Sequence, residues 1–272
     1  MHGMHPKPSS RFLFNTPDIE LWPAALLRAR SNRDARVLSR ATQVLRRKCD
    51  GAYLAAVLPE GIIGLMPRWQ REAGIGDALD LLDAGALHAS GAAAPDLPLS
   101  QVEARLETLG LDADDYAGRT GLGLVAEPAW LAFAGFDRYR RPLWLETGTA
   151  RAWQGLRAAA ARDDVALDAV SGYRSHDYQL GIFDRKRARG LSLDAILAVN
   201  AAPGYSEHHS GCALDISAPG EPPAEDTFEK TAAFEWLTRH AADHGFTMSY
   251  PRDNPHGIVY EPWHWRYRAA VD

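Results

Sequence analysis

The run Ser206-Glu207-His208-His209-Ser210-Gly211-Cys212-Ala213-Leu214-Asp215 decides how this chain is read. An imidazole, His208, and a carboxylate, Asp215, lie on either side of a glycine. Gly211 tolerates positive φ, so the backbone can fold back there and bring both side chains to one cation. Residues 212–217 alternate toward a buried strand, which Pro219 and Gly220 end. Near the carboxyl terminus, Glu261-Pro262-Trp263-His264 supplies a second imidazole, His264, and a carboxylate close to it. Two histidines and one carboxylate leave a tetrahedral zinc with an open position for water. A carboxylate beside that water is the general base of a metal-dependent hydrolase. His209 reads as a supporting or exposed residue, because adjacent side chains diverge. Cys212 on a buried strand reads as an inert thiol.

The elements around this run predict an α+β catalytic half over 136–272, an antiparallel sheet with flanking helices. Residues 149–162 form an alanine-rich helix with Trp153, Leu156 and Ala160 on one face. A strand over 165–170 leads into Ser171-Gly172-Tyr173-Arg174. Helices follow over 177–189 and 192–199, and a long amphipathic helix over 228–244 closes at Gly245. Strands are expected over 246–250 and 258–261, around a turn containing Asn254-Pro255. Residues 1–135 read as a mostly helical region of unassigned role. Val37, Leu38, Ala41, Val44 and Leu45 predict one helix across 33–48. Ser100 and Glu103 fit a capping box at the head of another, and 89–98 reads as a loop.

Four motifs occur in a fixed order: Ser171-Gly172-Tyr173-Arg174-Ser175 with Gln179 beyond it, S-x-H-x-x-G-x-A-x-D over 206–215, Ser249-Tyr250-Pro251, and E-x-W-H over 261–264. In this the chain resembles the zinc D-alanyl-D-alanine carboxypeptidases of the VanY type. Related D,D-dipeptidases and L,D-carboxypeptidases belong to the same group, which shares its metal-site fold with lysostaphin-type peptidases and hedgehog domains. The resemblance covers about 136–267. It implies that His208, Asp215 and His264 bind Zn2+, that Glu261 is the general base and proton shuttle, and that Arg174 holds substrate and stabilises the oxyanion. Gln179, Ser206 and Tyr250 match positions around the substrate's terminal carboxylate. The implied substrate is a peptidoglycan stem peptide or muropeptide that loses its terminal D-alanine. The chain departs from the pattern at Cys212, where the family often has an apolar residue, and in a slightly short 250–261 loop. L,D-carboxypeptidase, D,D-dipeptidase and cell-wall endopeptidase activities stay open as alternatives. So does a non-catalytic zinc module, which the pairing of Glu261 with Arg174 disfavours.

Composition narrows the remaining classes. The 272 residues carry 30 Lys and Arg against 35 Asp and Glu, a formal charge of −5, so no basic nucleic-acid surface is indicated. The most apolar stretch, 52–66, is broken by Pro59, Glu60 and Gly61 and is too short to span a membrane. The amino terminus has no apolar leader core, which predicts a cytoplasmic protein. Cys49 and Cys212 make no disulfide framework.

Overall fold

A computed structural model describes residues 11–83 and 94–269. Its two sheets are both antiparallel. The larger has seven strands in the order β5-β4-β3-β2-β1-β6-β7: β1 (Phe12–Asn15), β2 (Ile19–Pro23), β3 (Gln43–Arg47), β4 (Tyr53–Leu58), β5 (Gly61–Gly64), β6 (Trp130–Phe136) and β7 (Pro142–Leu145). The smaller has the order β10-β11-β9-β8: β8 (Asp168–Ser171), β9 (Ala213–Ser217), β10 (Phe246–Met248) and β11 (His264–Tyr267). Helices α1 (Asn32–Leu38), α2 (Ile75–Asp83), α3 (Val102–Leu109) and α4 (Ala113–Thr120) belong to the first half. Helices α5 (Thr147–Arg162), α6 (His176–Arg187), α7 (Leu193–Leu197) and α8 (Ala232–His240) belong to the second. The α+β class with flanking helices is therefore the observed one.

The amino-terminal half corrects the mostly helical expectation, because five of the seven strands lie before residue 65. Residues 33–48 split into α1 and β3. Val44 and Leu45 are both fully buried, and an apolar run buried on both faces carries no period that separates strand from helix. The capping box at Ser100 does not form. Gln101 is the N-cap of α3 and makes no capping bond; its side chain accepts from Arg105 and donates to Asp18 instead. Gly110 does end this helix, at φ +75°. Of the expected 89–98 loop, 89–93 lie outside the described residues. The remainder carries no helix or strand and bridges at Asp96 to Pro128.

In the second half, α5 buries its predicted face of Trp153, Leu156 and Ala160 against Leu214 and Ile216 of β9 and Trp265 of β11. Residues 228–244 are not one helix. Thr231 caps α8 by accepting from the Phe234 N–H, so a new helix starts there, and a short 3-10 turn follows at Ala241–His244. The expected strand over 258–261 is absent; the strand is β11. Pro262 has no N–H to give to a ladder, so pairing begins beyond it, with His264 opposite Asp215, Trp265 opposite Leu214 and Arg266 opposite Ala213. That register sets His264 and Asp215 side by side on one face of the sheet. Among the described residues, no helix is long and apolar enough to cross a membrane.

Candidate active site

His208 sits in a single 3-10 turn, Glu207–Ser210, which Gly211 ends at φ +71°. Only glycine fits there. A Cβ on Gly211 would lie 2.5 Å from Leu131 Cδ2 and 2.8 Å from the backbone nitrogen of Glu146. The Glu146 N–H donates to the Gly211 carbonyl, docking the turn on the end of β7. The turn is also laced to the 172–174 segment. His208 Nδ1 donates to the Gly172 carbonyl at 2.7 Å, the Arg174 N–H donates to the His208 carbonyl, and His209 Nδ1 donates to the Arg174 carbonyl at 2.7 Å. His209 is fully buried rather than exposed. Its Nε2 accepts from the Gly204 N–H, so both ring nitrogens are used in holding Arg174's backbone and the loop before the turn.

One ligating atom from each of His208, Asp215 and His264 falls within 4.8 Å of the others, and all three residues are buried. The tautomers are fixed by what lies behind each ring. Because Nδ1 of His208 donates to a carbonyl, its Nε2 carries a lone pair. That Nε2 is buried with no hydrogen-bond partner among the described residues, 3.3 Å from Asp215 Oδ1. His264 turns Nδ1 toward Asp215 Oδ1 at 3.2 Å and gives Nε2 to Glu207 at 2.9 Å. Two imidazole nitrogens and a carboxylate thus converge with a buried lone pair facing no donor, a donor set that fits a zinc ion.

Burial and neighbouring charges act in opposite directions on the two imidazoles. Burial pushes His208 down, to about 4, and the nearby Arg174 guanidinium adds to the fall. Burial also opposes charge on His264, but Asp215 and Glu207 outweigh it and lift the imidazole to about 10. Burial would raise Asp215, yet His208, His264 and Arg174 hold it well below the usual carboxylate range. Glu261 is the exception among the acids. Burial raises it to about 7, against the pull of His264. Its Oε2 lies 3.9 Å from His264 Nδ1.

The other expected residues line the same cavity, of about 260 Å³, with the triad. Arg174 reaches to 3.9 Å from Asp215 Oδ2, and its Nε is buried without a partner among the described residues. Gln179, on α6, donates to the Ala201 carbonyl at 2.7 Å and leaves Oε1 buried with no partner among the described residues. Ser206 precedes the His208 turn and is buried. The Tyr250 ring lies 4.8 Å from that of His264, and burial together with Glu207 and Glu261 keeps its phenol protonated. Cys212 lies outside this lining, and burial raises its thiol.

Two residues of this site are absent from the motif reading. Glu207, between Ser206 and His208, accepts from both His264 Nε2 and Arg266 at 2.8 Å. The signal for it was a carboxylate inside the motif itself. Lys186 of α6 lines the cavity, one face of the helix with Gln179 and buried Phe183; nothing in its local sequence separates it from a surface lysine.

Comparison with known proteins gives the family of the chain. The family profile described as VanY, D-alanyl-D-alanine carboxypeptidase, matches residues 142–270. The chain is 37% identical over 136 residues to "Putative carboxypeptidase YodJ" of Bacillus subtilis (strain 168), covering 48% of this chain and 49% of that protein. It therefore spans about half the length of that relative. It is 32% identical over 151 residues to the bifunctional D-Ala-D-Ala dipeptidase and D-Ala-D-Ala carboxypeptidase VanXYC of Enterococcus gallinarum, covering 52% of this chain and 75% of that protein. Among solved structures, a vancomycin-resistance D,D-pentapeptidase VanY in complex with Zn(II) is 32% identical, covers 46% of this chain and 72% of its own, and has a TM-score of 0.39. The chain belongs to the VanY family of D-alanyl-D-alanine carboxypeptidases.

Proposed function

We propose that the protein is a zinc-dependent carboxypeptidase that removes the terminal D-alanine from peptidoglycan stem peptides or their precursors. The observation that carries this reading is the buried, donorless lone pair of His208 facing Asp215 and His264, with Glu261 beside them. His208, Asp215 and His264 would hold the metal. When bound, zinc would polarise the scissile carbonyl and bring the pKa of the attacking water toward about 7. Glu261 takes the proton from that water and returns it to the leaving amine. Arg174 stabilises the negative charge on the carbonyl oxygen, a contribution of about 3–4 kcal/mol for one well-placed donor. Arg174 and Lys186 give the cavity two cations, which suits a substrate ending in a free carboxylate. Gln179, Ser206 and Tyr250 offer an acceptor and two hydroxyls to the substrate backbone.

The direct test is to incubate the zinc-loaded protein with peptides ending in D-Ala-D-Ala or in L-Lys-D-Ala and to measure free alanine. Release from the first peptide, lost on chelation and restored by zinc, is the expected result. Release from the second alone would turn the reading to an L,D-carboxypeptidase. Release from neither, with zinc bound, would leave a binding module.

Glu207 has a supporting part in the same reading. A metal-bound histidine is oriented by what its other nitrogen donates to, and for His264 that is Glu207. Glu207→Ala is expected to weaken zinc binding by about 10–100-fold, measured by competition with a chromophoric chelator. Zinc affinity equal to that of the parent would remove Glu207 from this role.

A further inference from the structure

The amino-terminal half grips the segment that carries Arg174. Glu127, in the loop before β6, is buried. Its Oε2 accepts from Lys48 Nζ at 2.6 Å and from Tyr173 Oη at 2.5 Å, and its Oε1 accepts from the His176 N–H at 2.8 Å. One carboxylate thus holds a residue on each side of Arg174. The same loop adds further ties. The Val125 carbonyl accepts from His176 Nε2 at 2.8 Å, and Asn15, at the end of β1, donates to both the Pro128 carbonyl and Tyr173 Oη. The contacts that fix Arg174 are made by its backbone. Its N–H donates to the His208 carbonyl, and its own carbonyl accepts from His209 Nδ1. Its Nε, in contrast, has no partner among the described residues, and its guanidinium comes only to 3.9 Å from Asp215 Oδ2, longer than a hydrogen bond.

A buried ion pair contributes little net stability against an apolar replacement of the same shape, whereas a buried polar network rigidifies the chain it engages. Here the engaged chain is 173–176, and the direction of the Arg174 side chain follows from the path of that backbone. We propose that Glu127 is a positioning residue: through Tyr173 and His176, the amino-terminal half aims the Arg174 guanidinium at the scissile carbonyl. This inference rests on the peptidase reading. Glu127 itself lies outside the lining of the metal-site cavity, so its effect on turnover passes through Arg174.

The test compares two double variants that both lack the ion pair. Lys48→Met with Glu127→Ala removes all three bonds of the carboxylate without stranding a charge. Lys48→Met with Glu127→Gln keeps an acceptor for the His176 N–H and a polar partner for Tyr173 Oη. The substrate is whichever of the two peptides above the parent hydrolyses. The Glu127→Ala pair is expected to lower kcat about 10–100-fold with KM near the parental value, because the charge that Arg174 meets is present in the transition state alone. The Glu127→Gln pair is expected to recover most of that loss. In an Arg174→Ala background the Glu127→Ala pair should cost no more than about twofold, since the group that it aims is gone. Zinc content of the same samples should equal the parent's. Tyr173→Phe strands no charge and serves where the Glu127→Ala pair fails to fold; it is expected to lower kcat about fivefold, and parental kcat there would overturn the proposal. So would parental kcat in the Glu127→Ala pair, an equal loss in both pairs, loss of zinc, or a full loss that persists without Arg174. No alanine from the parent itself would sink the peptidase reading, whereas a parent that turns over beside unaffected variants sinks this inference alone.

Discussion

Glu261→Gln should lower kcat by about 10²–10⁴-fold while the protein keeps its zinc. That range is the usual contribution of one positioned acid–base group. The substitution is close to isosteric, and Glu261 is not among the three converging ligand atoms, so the metal should stay. The amide cannot take a proton from water or hand one to the leaving amine. KM should change little, because the cationic and hydroxyl groups of the cavity are untouched. Steady-state kinetics with metal analysis of the same sample checks both halves of the expectation. A variant that turns over at the parental rate with zinc bound would remove Glu261 as the base.

Lys48→Met should destabilise the fold by roughly 3–5 kcal/mol, the usual cost of leaving one member of a buried ion pair without its partner. The Lys48 side chain is fully buried and Glu127 is 5% exposed. Removing the ammonium leaves the carboxylate facing only the Tyr173 hydroxyl, the His176 N–H and neighbouring groups. Lys48→Met combined with Glu127→Gln should recover much of the loss, because no charge then stays stranded. Urea unfolding of the two single variants and the double variant measures this coupling. A loss for Lys48→Met below about 1 kcal/mol, the scale of an exposed pair, would contradict it. The pH dependence has a definite sign. Burial would raise Glu127, but Lys48 and His176 overcome it and hold the carboxyl at about 2, against an ordinary value of 4.5. A depressed carboxyl stabilises the fold above its ordinary value, and that stability is lost as pH falls from about 4.5 toward 2. Lys48→Met should flatten this part of the acid-unfolding curve.

The convergence of His208, Asp215 and His264 was legible because their spacing is set by one turn and one strand. Gly211 and Asp215 stand in a local order that sequence displays directly, and the Glu-Pro-Trp-His run fixes where the last strand can begin. Elements whose identity depends on distant partners were not legible. Val44 and Leu45 point to opposite faces of the sheet and are buried in separate clusters, Leu45 with Ile19 and Leu54 and Val44 with Ala24 and Leu58, so their spacing fitted a helix equally well. Lys48 looks like an ordinary surface lysine until Glu127, far along the chain, closes over it. Glu207 read as spacing between two recognised residues, since its partners His264 and Arg266 arrive from more than fifty positions away. Pro262 shows the opposite error. The apolar character of 258–261 suggested a strand, and the missing amide one residue later moved the real one beyond it.

The pairing of β6 with β7 runs across the position where the sequence texture changes, with Ala132 opposite Leu145 and Phe133 opposite Trp144. An expressed fragment that starts at the catalytic half would therefore leave β7 without its sheet partner and bare a ladder of unpaired amides and carbonyls, a surface prone to sticking to other chains. Proteins that carry the peptidase half without this amino-terminal sheet must shield the corresponding edge in some other way, and divergence of the two halves in this chain is tied together along one row of hydrogen bonds.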